Sequence, residues 1–511
     1  MVEAADDAAL DRRLGLSVSP SVRTSRATAV ALGMLAFAFV WLAHLNYASL
    51  VPPTDDLEQL TWSRSLEWGY YKHPPLPTWL LWPALRVFGW SAWTVYLAGA
   101  ATTLAAFWIF WRLLVRLRGE SYALVALLAA ACISYYNGRL YYYNHNVVLL
   151  LANAACAALT WQAFATQRLR WWVALGLAVG LGALAKYQVA VTAASILVFA
   201  THQRAWQHRT HRRGIVLAAL VAGLLFAPHL AWLRTHGFAP LHYAVESSLG
   251  ANLGPLARIV DTLNWLLDQL LNRALPAWLL LGLAAWLARR APAAGEFPMR
   301  QGTQGSAARA LLLSWGAVPL LFMPIVGLFA GADLQKHWGT PFLLFAVPAV
   351  LELAPRRWRL PASRAPLLTA FVAVQGLLLV SSHLTSPLGP QAMRDSHWRH
   401  FDARRAALAI GDAARNQLGG PIRVVSGPAA IAGALALEWP ESPLVLIDGR
   451  LDRSPWIDES LLRACGWVQL IDAGAPQAAT PVGSALPGWR WLVVPPEGAV
   501  ATSTCRPVSR R

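Results

Sequence analysis

The sequence predicts an α-helical polytopic membrane protein of about 11 spans, followed by a soluble α/β domain. Three observations carry that expectation. The 511 residues are 56% hydrophobic and only 14% charged, where a soluble domain carries roughly 25% charged residues, and the mean hydropathy is +0.41. Apolar stretches of membrane-crossing length recur along the first three quarters of the chain. Finally, the 43 Lys and Arg against 26 Asp and Glu, net +17, collect in every second loop.

A span needs about 20 mostly apolar residues. Candidates lie near 27–49, 91–111, 121–137, 147–165, 171–185, 188–202, 214–233, 274–288, 309–330, 340–354 and 365–383. Arg12, Arg13, Arg23 and Arg26 precede the first, and no small-residue cleavage site follows it, so it reads as an uncleaved anchor with residues 1–26 in the cytoplasm. Alternating from there places 21 basic residues inside, nine outside and 13 after the last span, for net charges of +14, +1 and +2. Charge so placed sets orientation and meets anionic lipid, which excludes nucleic acid as a partner. The expected location is a membrane crossed many times, with the amino terminus cytoplasmic. Residues 27–390 form the membrane domain, and its first outer loop is 50–90.

Residues 391–511 change character, with strand-like runs Ile422–Val425 and Leu444–Ile447 and a helical stretch Arg404–Arg415. An odd number of crossings puts this α/β domain outside, where an oxidising compartment permits Cys465 and Cys505 to pair. Cys132 and Cys156 fall in spans and read as core residues. Between the spans, His208 and His211 sit in a basic inner loop and read as solvated. The segment His236–Arg273, with His242, Tyr243, Glu246, Asp261 and Asp268 at helical spacing, reads as an amphipathic interfacial stretch.

Chemistry concentrates in the first outer loop. It holds Asp55, Asp56 and Glu58, then Trp62-Ser63-Arg64, then Gly69-Tyr70-Tyr71-Lys72-His73-Pro74-Pro75. Carboxylates at the mouth of a span are costly unless solvated, paired or functional; a wet loop whose acids cap a short helix is the plain alternative. The two prolines fix the backbone before it returns to the interface. Lysine usage adds a clue. The chain holds three Lys, Lys72, Lys186 and Lys336, beside 40 Arg, and all three fall on the outer side, as sites wanting a compact point charge for phosphate would require. Two polar knots share that side: Asp333, Lys336, His337 and Trp338, and Arg139 with Asn144–Asn146.

The acidic pair, the Trp-Ser-Arg element and the Gly-Tyr-Tyr-x-His-Pro-Pro run resemble the polytopic glycosyltransferases of the C-type fold, in the bacterial branch related to protein O-mannosyltransferases and the lipid A aminoarabinose transferase. Gly180-Leu181-Gly182-Ala183-Leu184-Ala185-Lys186-Tyr187, Ile447-Asp448-Gly449 and Ser454-Pro455-Trp456-Ile457-Asp458 extend the resemblance through the tail. One position departs: many relatives carry Asp where this chain has Asn146. That departure puts a second carboxylate, and any metal it would hold, in doubt.

The resemblance implies an enzyme of the bacterial inner membrane, its α/β tail in the periplasm, that moves a sugar from a polyprenyl-phosphate donor to a periplasmic-side acceptor, whether lipid A, glycan, lipid or protein. On that reading Asp55 is the base, with Asp56 or Glu58 as a positioning or metal-binding neighbour. Lys186 meets the phosphate, helped by Lys336 and Arg139, and His73 shapes the sugar pocket. Lys72, Asn146, Tyr187 and His337 complete the substrate side. No cofactor is specified, and a divalent metal stays open without named ligands. The rival is a transporter or flippase for a lipid-linked substrate. The halves show no inverted repeat, and the carboxylates sit at a loop mouth rather than mid-span, which disfavours it.

Overall fold

The computed structural model describes residues 20–289, 303–354, 364–393, 400–474, 479–497 and 505. Most of the expected cytoplasmic segment 1–26 lies outside the described residues, as do the loops 290–302 and 355–363. The chain opens with α1 (Pro20–Ala48), the two short helices α2 (Thr54–Trp62) and α3 (Leu76–Phe88), then α4 (Ala92–Arg118) and α5 (Glu120–Ala131). There follow α6 (His145–Thr166), α7 (Leu169–Ala185), α8 (Val189–His202), α9 (Arg209–Thr235), α10 (Ala239–Ala244), α11 (Pro255–Leu267), α12 (Leu275–Arg289), α13 (Thr303–Ala330), α14 (Ala346–Leu353) and α15 (Arg364–Thr385).

Helix occupies part of each of the 11 stretches read as spans. Length separates them. Among the described residues six helices, α1, α4, α6, α9, α13 and α15, are long and apolar enough to cross a membrane, and a seventh results if Pro255–Arg273 and Leu275–Ala288, bent by 43°, act as one broken span. Where 340–354 reads as one span, the chain instead makes short turns over Lys336–Gly339 and Leu343–Phe345 before the eight residues of α14. Gly339 and Pro341 interrupt the helix there, since glycine gains freedom by leaving it and proline cannot donate to it.

Leu32, Phe39, Leu220, Leu224, Phe329 and Val372 are exposed on the long helices, as lipid-facing surfaces require. Close packing is set by small residues: a Cβ on Gly176 of α7 would lie 2.5 Å from the Ala218 carbonyl of α9. The same device acts at Gly99 of α4, where a Cβ would lie 2.5 Å from the Tyr142 carbonyl, so only glycine lets the 139–146 connection lie against α4. His211, expected to be solvated, is buried and stacks 4.8 Å from Phe164, because α9 begins two residues before it and turns it inward. The segment after α9 is amphipathic as expected: Leu256, Ile259, Val260, Leu263 and Leu267 are exposed, while Asp261 accepts from the Leu334 amide at 2.9 Å.

The tail comprises α16 (Ala403–Leu418), β1 (Val424–Gly427), α17 (Ala429–Glu438), β2 (Leu444–Ile447), α18 (Glu459–Cys465), β3 (Trp467–Asp472), β4 (Thr480–Pro481) and β5 (Trp489–Val494). The sheet order is β2-β1-β3-β5-β4. β1 pairs parallel with β2, Val424 opposite Leu444, and with β3, Val425 opposite Val468; β5 runs antiparallel to β3. Cys465 and Cys505 form a disulfide with Cα atoms 5.6 Å apart, whereas Cys132 and Cys156 are free and buried. The tail shares a core with the first loop: Leu57, Leu60 and Trp62 of α2 pack in one cluster with Ile410, Val425 and Leu435. At Gly433 of α17 a Cβ would stand 3.2 Å from the Leu57 Cβ.

Candidate active site

Pro53 precedes α2, and no side chain caps the helix. The acids are therefore not caps, and the wet-loop alternative fails on burial. Asp56 is fully buried and Glu58 is 2% exposed. Successive residues on a helix diverge by about 100°, so the three carboxylates serve three different partners. Asp55 accepts from the Asn144 side-chain amide at 2.9 Å, Asp56 from the Tyr143 backbone amide at 3.0 Å, and Glu58 pairs with Lys72 at 2.5 Å. Their place on the first turns of the helix also suits its positive end. Burial raises the Glu58 carboxyl above its ordinary value, countered in part by Lys72.

Beyond α2 the loop folds back on itself. Tyr70 and His73 exchange backbone hydrogen bonds at 3.0 and 3.2 Å, and the Tyr70 ring stacks on Trp62 at 5.0 Å. His73 then lies 3.8 Å, ring to ring, from His145 at the start of α6. Burial, followed by the charge of its neighbours, holds His73 well below the ordinary histidine value, so it is neutral.

Asn144 organises the facing element. Its Oδ1 accepts from the Asn146 and Val147 amides at 3.0 and 3.1 Å, capping α6, and its Nδ2 is the donor to Asp55. Sequence reasoning placed Asn144 only within a polar knot; its position just ahead of an apolar helical run was the available signal for a cap. Asn146, the second residue of α6, accepts from Lys186 Nζ at 2.7 Å. Lys186 follows the glycine-rich α7 and its amide closes that helix on the Gly182 carbonyl at 2.9 Å. It is 9% exposed and has no ion pair among the described residues. Burial pushes it down to about 7, with Asp55 opposing.

Asp55, Asn144 and Asn146 line a cavity of about 200 Å³ together with Arg139, Tyr135, Tyr142, His337 and Thr340. The Arg139 guanidinium stands 5.7 and 5.4 Å from the Tyr135 and Tyr142 rings and makes no ion pair among the described residues. His337 is pushed down to about 4 by burial first and Lys186 next, so it too is neutral. The cavity lining thus gathers one carboxylate, one cation without an ion pair among the described residues and a neutral imidazole, and Lys186 stands behind it on Asn146.

Five expected substrate-side members are not among the lining residues: Lys186 bonds to Asn146, His73 meets His145, and Lys72, Tyr187 and Lys336 have partners elsewhere. Lys72 is held by Glu58 and lies 5.1 Å from the Tyr243 ring. Tyr187 is 2.8 Å from His229 Nε2, whose other ring nitrogen meets the Trp68 carbonyl at 2.5 Å. Lys336 is exposed; only its carbonyl is used, by Tyr135 and by Gln269 Nε2 at 2.9 Å. Among the described residues no three His, Cys, Asp or Glu converge as a metal site requires, since Asp55, Asp56 and Glu58 point apart.

Residues 72–232 match the family described as dolichyl-phosphate-mannose-protein mannosyltransferase. The lipopolysaccharide core galacturonosyltransferase RgtA of Rhizobium johnstonii is 24% identical over 417 residues, 77% of each chain. Crystal structures of ArnT from Cupriavidus metallidurans share the fold. The apo form has a TM-score of 0.61 at 15% identity, and the form bound to undecaprenyl phosphate 0.56 at 16%, each covering 94% of this chain and 100% of ArnT. The chain thus has the fold of ArnT and, over residues 72–232, is similar to that mannosyltransferase family.

Proposed function

We propose that the protein transfers a sugar from a polyprenyl-phosphate donor to an envelope acceptor at the periplasmic face of a bacterial inner membrane. The observation that carries this is Lys186: a buried ammonium bonded to a neutral amide, without a carboxylate of its own, beside a cavity that also holds Asp55. Its charge is left for an anion of the ligand, and a lipid phosphate supplies one. ArnT bound to undecaprenyl phosphate and the relative acting on lipopolysaccharide core support the same substrate chemistry.

In the reaction the bond from the anomeric carbon to the phosphate oxygen breaks, and that oxygen keeps the electron pair. Lys186 stabilises the charge that develops there, with Arg139 alongside. The acceptor oxygen bonds to the anomeric carbon and gives its proton to Asp55, which Asn144 holds in orientation. An acceptor that is itself an ionised phosphate needs no base, and Asp55 then orients it. Neutral His337 and His73 supply hydrogen bonds without adding charge.

The test is purified protein in nanodiscs with a radiolabelled polyprenyl-phosphate sugar and an acceptor lipid. Sugar leaving the donor lipid supports transfer. Movement of intact donor across a sealed bilayer, with no cleavage, would favour the flippase reading.

A further inference from the structure

α1, α4, α5 and α15 enclose a second cavity, of about 330 Å³, at the end of the bundle away from Asp55. α1 lines it from Arg26 to Phe37, and only beyond Ala48, the last residue of that helix, does the chain reach Pro53 and Asp55 of the first cavity. The lining stretch of α1 rises about 16 Å, close to half of a hydrocarbon core about 30 Å thick. The second cavity therefore spans one leaflet, and the candidate active site belongs to the opposite face.

Charge and apolar surface are separated along it. The charged lining residues are Arg26, Glu120 and Arg364, and they share one end: Glu120 opens α5 and Arg364 opens α15. Arg26 pairs with Glu120. Arg364 is exposed and makes no ion pair among the described residues. Below this mouth the walls are apolar, and Met34, Phe107 and Trp111 belong to the main core of the bundle. Phe37 and Phe371, with ring centroids 6.5 Å apart, close the far end. Gly33 of α1 also lines the cavity, and a Cβ there would meet nothing within 4 Å.

A void of this size in a packed core forfeits dispersion contacts, and apolar walls give water too few partners. An acyl chain matches both the walls and the one-leaflet depth. A phosphate at the mouth would meet Arg364 and the positive amino ends of α5 and α15. We propose that this cavity binds one chain of an anionic phospholipid, with its head group at Arg364 and Arg26. The lipid ties α1 and α15, which with α9 are the least buried of the long helices, to α4 and α5. The site stands apart from the transfer reaction and does not rest on it.

The test is native mass spectrometry of the full-length protein loaded in detergent with dioleoylphosphatidylglycerol or dioleoylphosphatidylcholine, which share their tails. Wild type should retain phosphatidylglycerol about fivefold over phosphatidylcholine, the worth of one arginine beside an anionic head group. Arg364→Gln, at an exposed position, should bring the two lipids close to parity. Gly33→Leu fills the cavity and should remove most retention of both. Gly376→Leu, on α15 outside the lining and equally free of contacts, should retain them as wild type does. Equal retention of the two lipids by wild type, or an unchanged preference in Arg364→Gln, overturns the head-group site. Unchanged retention in Gly33→Leu, or an equal loss in Gly376→Leu, overturns the cavity as the binding place. Phosphatidylglycerol carrying a diazirine in mid-chain tests wild type without any substitution. Crosslinks should concentrate on Met34, Phe37 and Trp111; labelling as dense on the exposed Leu220, Leu224 and Phe329 overturns the proposal even where a variant fails to fold.

Discussion

On the first turn of α2, Asp55 faces the cavity and accepts from Asn144, while Asp56 is buried and accepts from the Tyr143 amide. Asp55→Asn should therefore lower transfer by at least about 10²-fold, as loss of a general base does, with the melting temperature unchanged. Asp56→Asn should behave oppositely, costing about 1–3 kcal/mol of stability through a weakened buried hydrogen bond and sparing the turnover of the folded fraction; a thermal melt beside the radiolabel assay reads both.

Lys186 gives a pH prediction. Held at about 7 in the free protein, it loses its charge as pH rises through that value, whereas an anionic ligand favours the charged form. Affinity for a phosphodiester donor, which does not itself titrate here, should fall between pH 7 and 9 by up to about tenfold per unit. Lys186→Arg stays charged and should flatten the profile. Asn146→Asp places a carboxylate on Lys186 and should weaken donor binding at pH 7. Binding isotherms at several pH values check both variants against wild type. The acids and lysines were legible as candidates because such groups are expensive near a membrane. Which of them faces the cavity was not, since a 100° step along a helix separates catalysis from burial.

At the scale of elements, α4 and the 139–146 connection meet through Gly99, where any Cβ would press on the Tyr142 carbonyl. Gly99→Val should displace the segment that carries Arg139 and Asn144, destabilise by about 1–3 kcal/mol as overpacking does, and lower transfer in the protein that remains folded. Activity normalised to folded protein, from fluorescence-detected size exclusion, measures this. The long helices were readable because 20 apolar residues have few other fates. The 340–354 stretch was read as continuous because its composition is uniform, although Gly339 and Pro341 break it. α2 was visible only as a loop: its nine residues are too few for a periodic pattern to declare itself, and it is packing against the tail that makes it a helix worth forming.

Across the whole molecule the tail and the first loop form one core around Leu57, Trp62, Val425 and Leu435, so loosening the tail should reach the cavity. The Cys465–Cys505 disulfide closes 40 residues of chain. Replacing either Cys with Ser should destabilise the tail by up to about 4 kcal/mol on the chain-entropy account and lower transfer with it, and a reductant titration of wild type should reproduce the loss. Reporter fusions near residues 208 and 300 should report cytoplasm, and one after residue 390 periplasm, because the arginines of those inner loops resist translocation.

By itself the sequence determined the membrane class, the run of helices, the strands of the tail and the set of polar residues from which a site must be built. These are local properties, written in apolar length, period and the cost of charge near lipid. Only the tertiary structure decided that Asn144 orients Asp55, that Lys186 leans on a neutral Asn146, and that Lys72, His73, Tyr187 and Lys336 stand outside the cavity lining. Those facts depend on which faces pack together across tens to hundreds of residues, and composition and spacing along one chain hold no record of that contact.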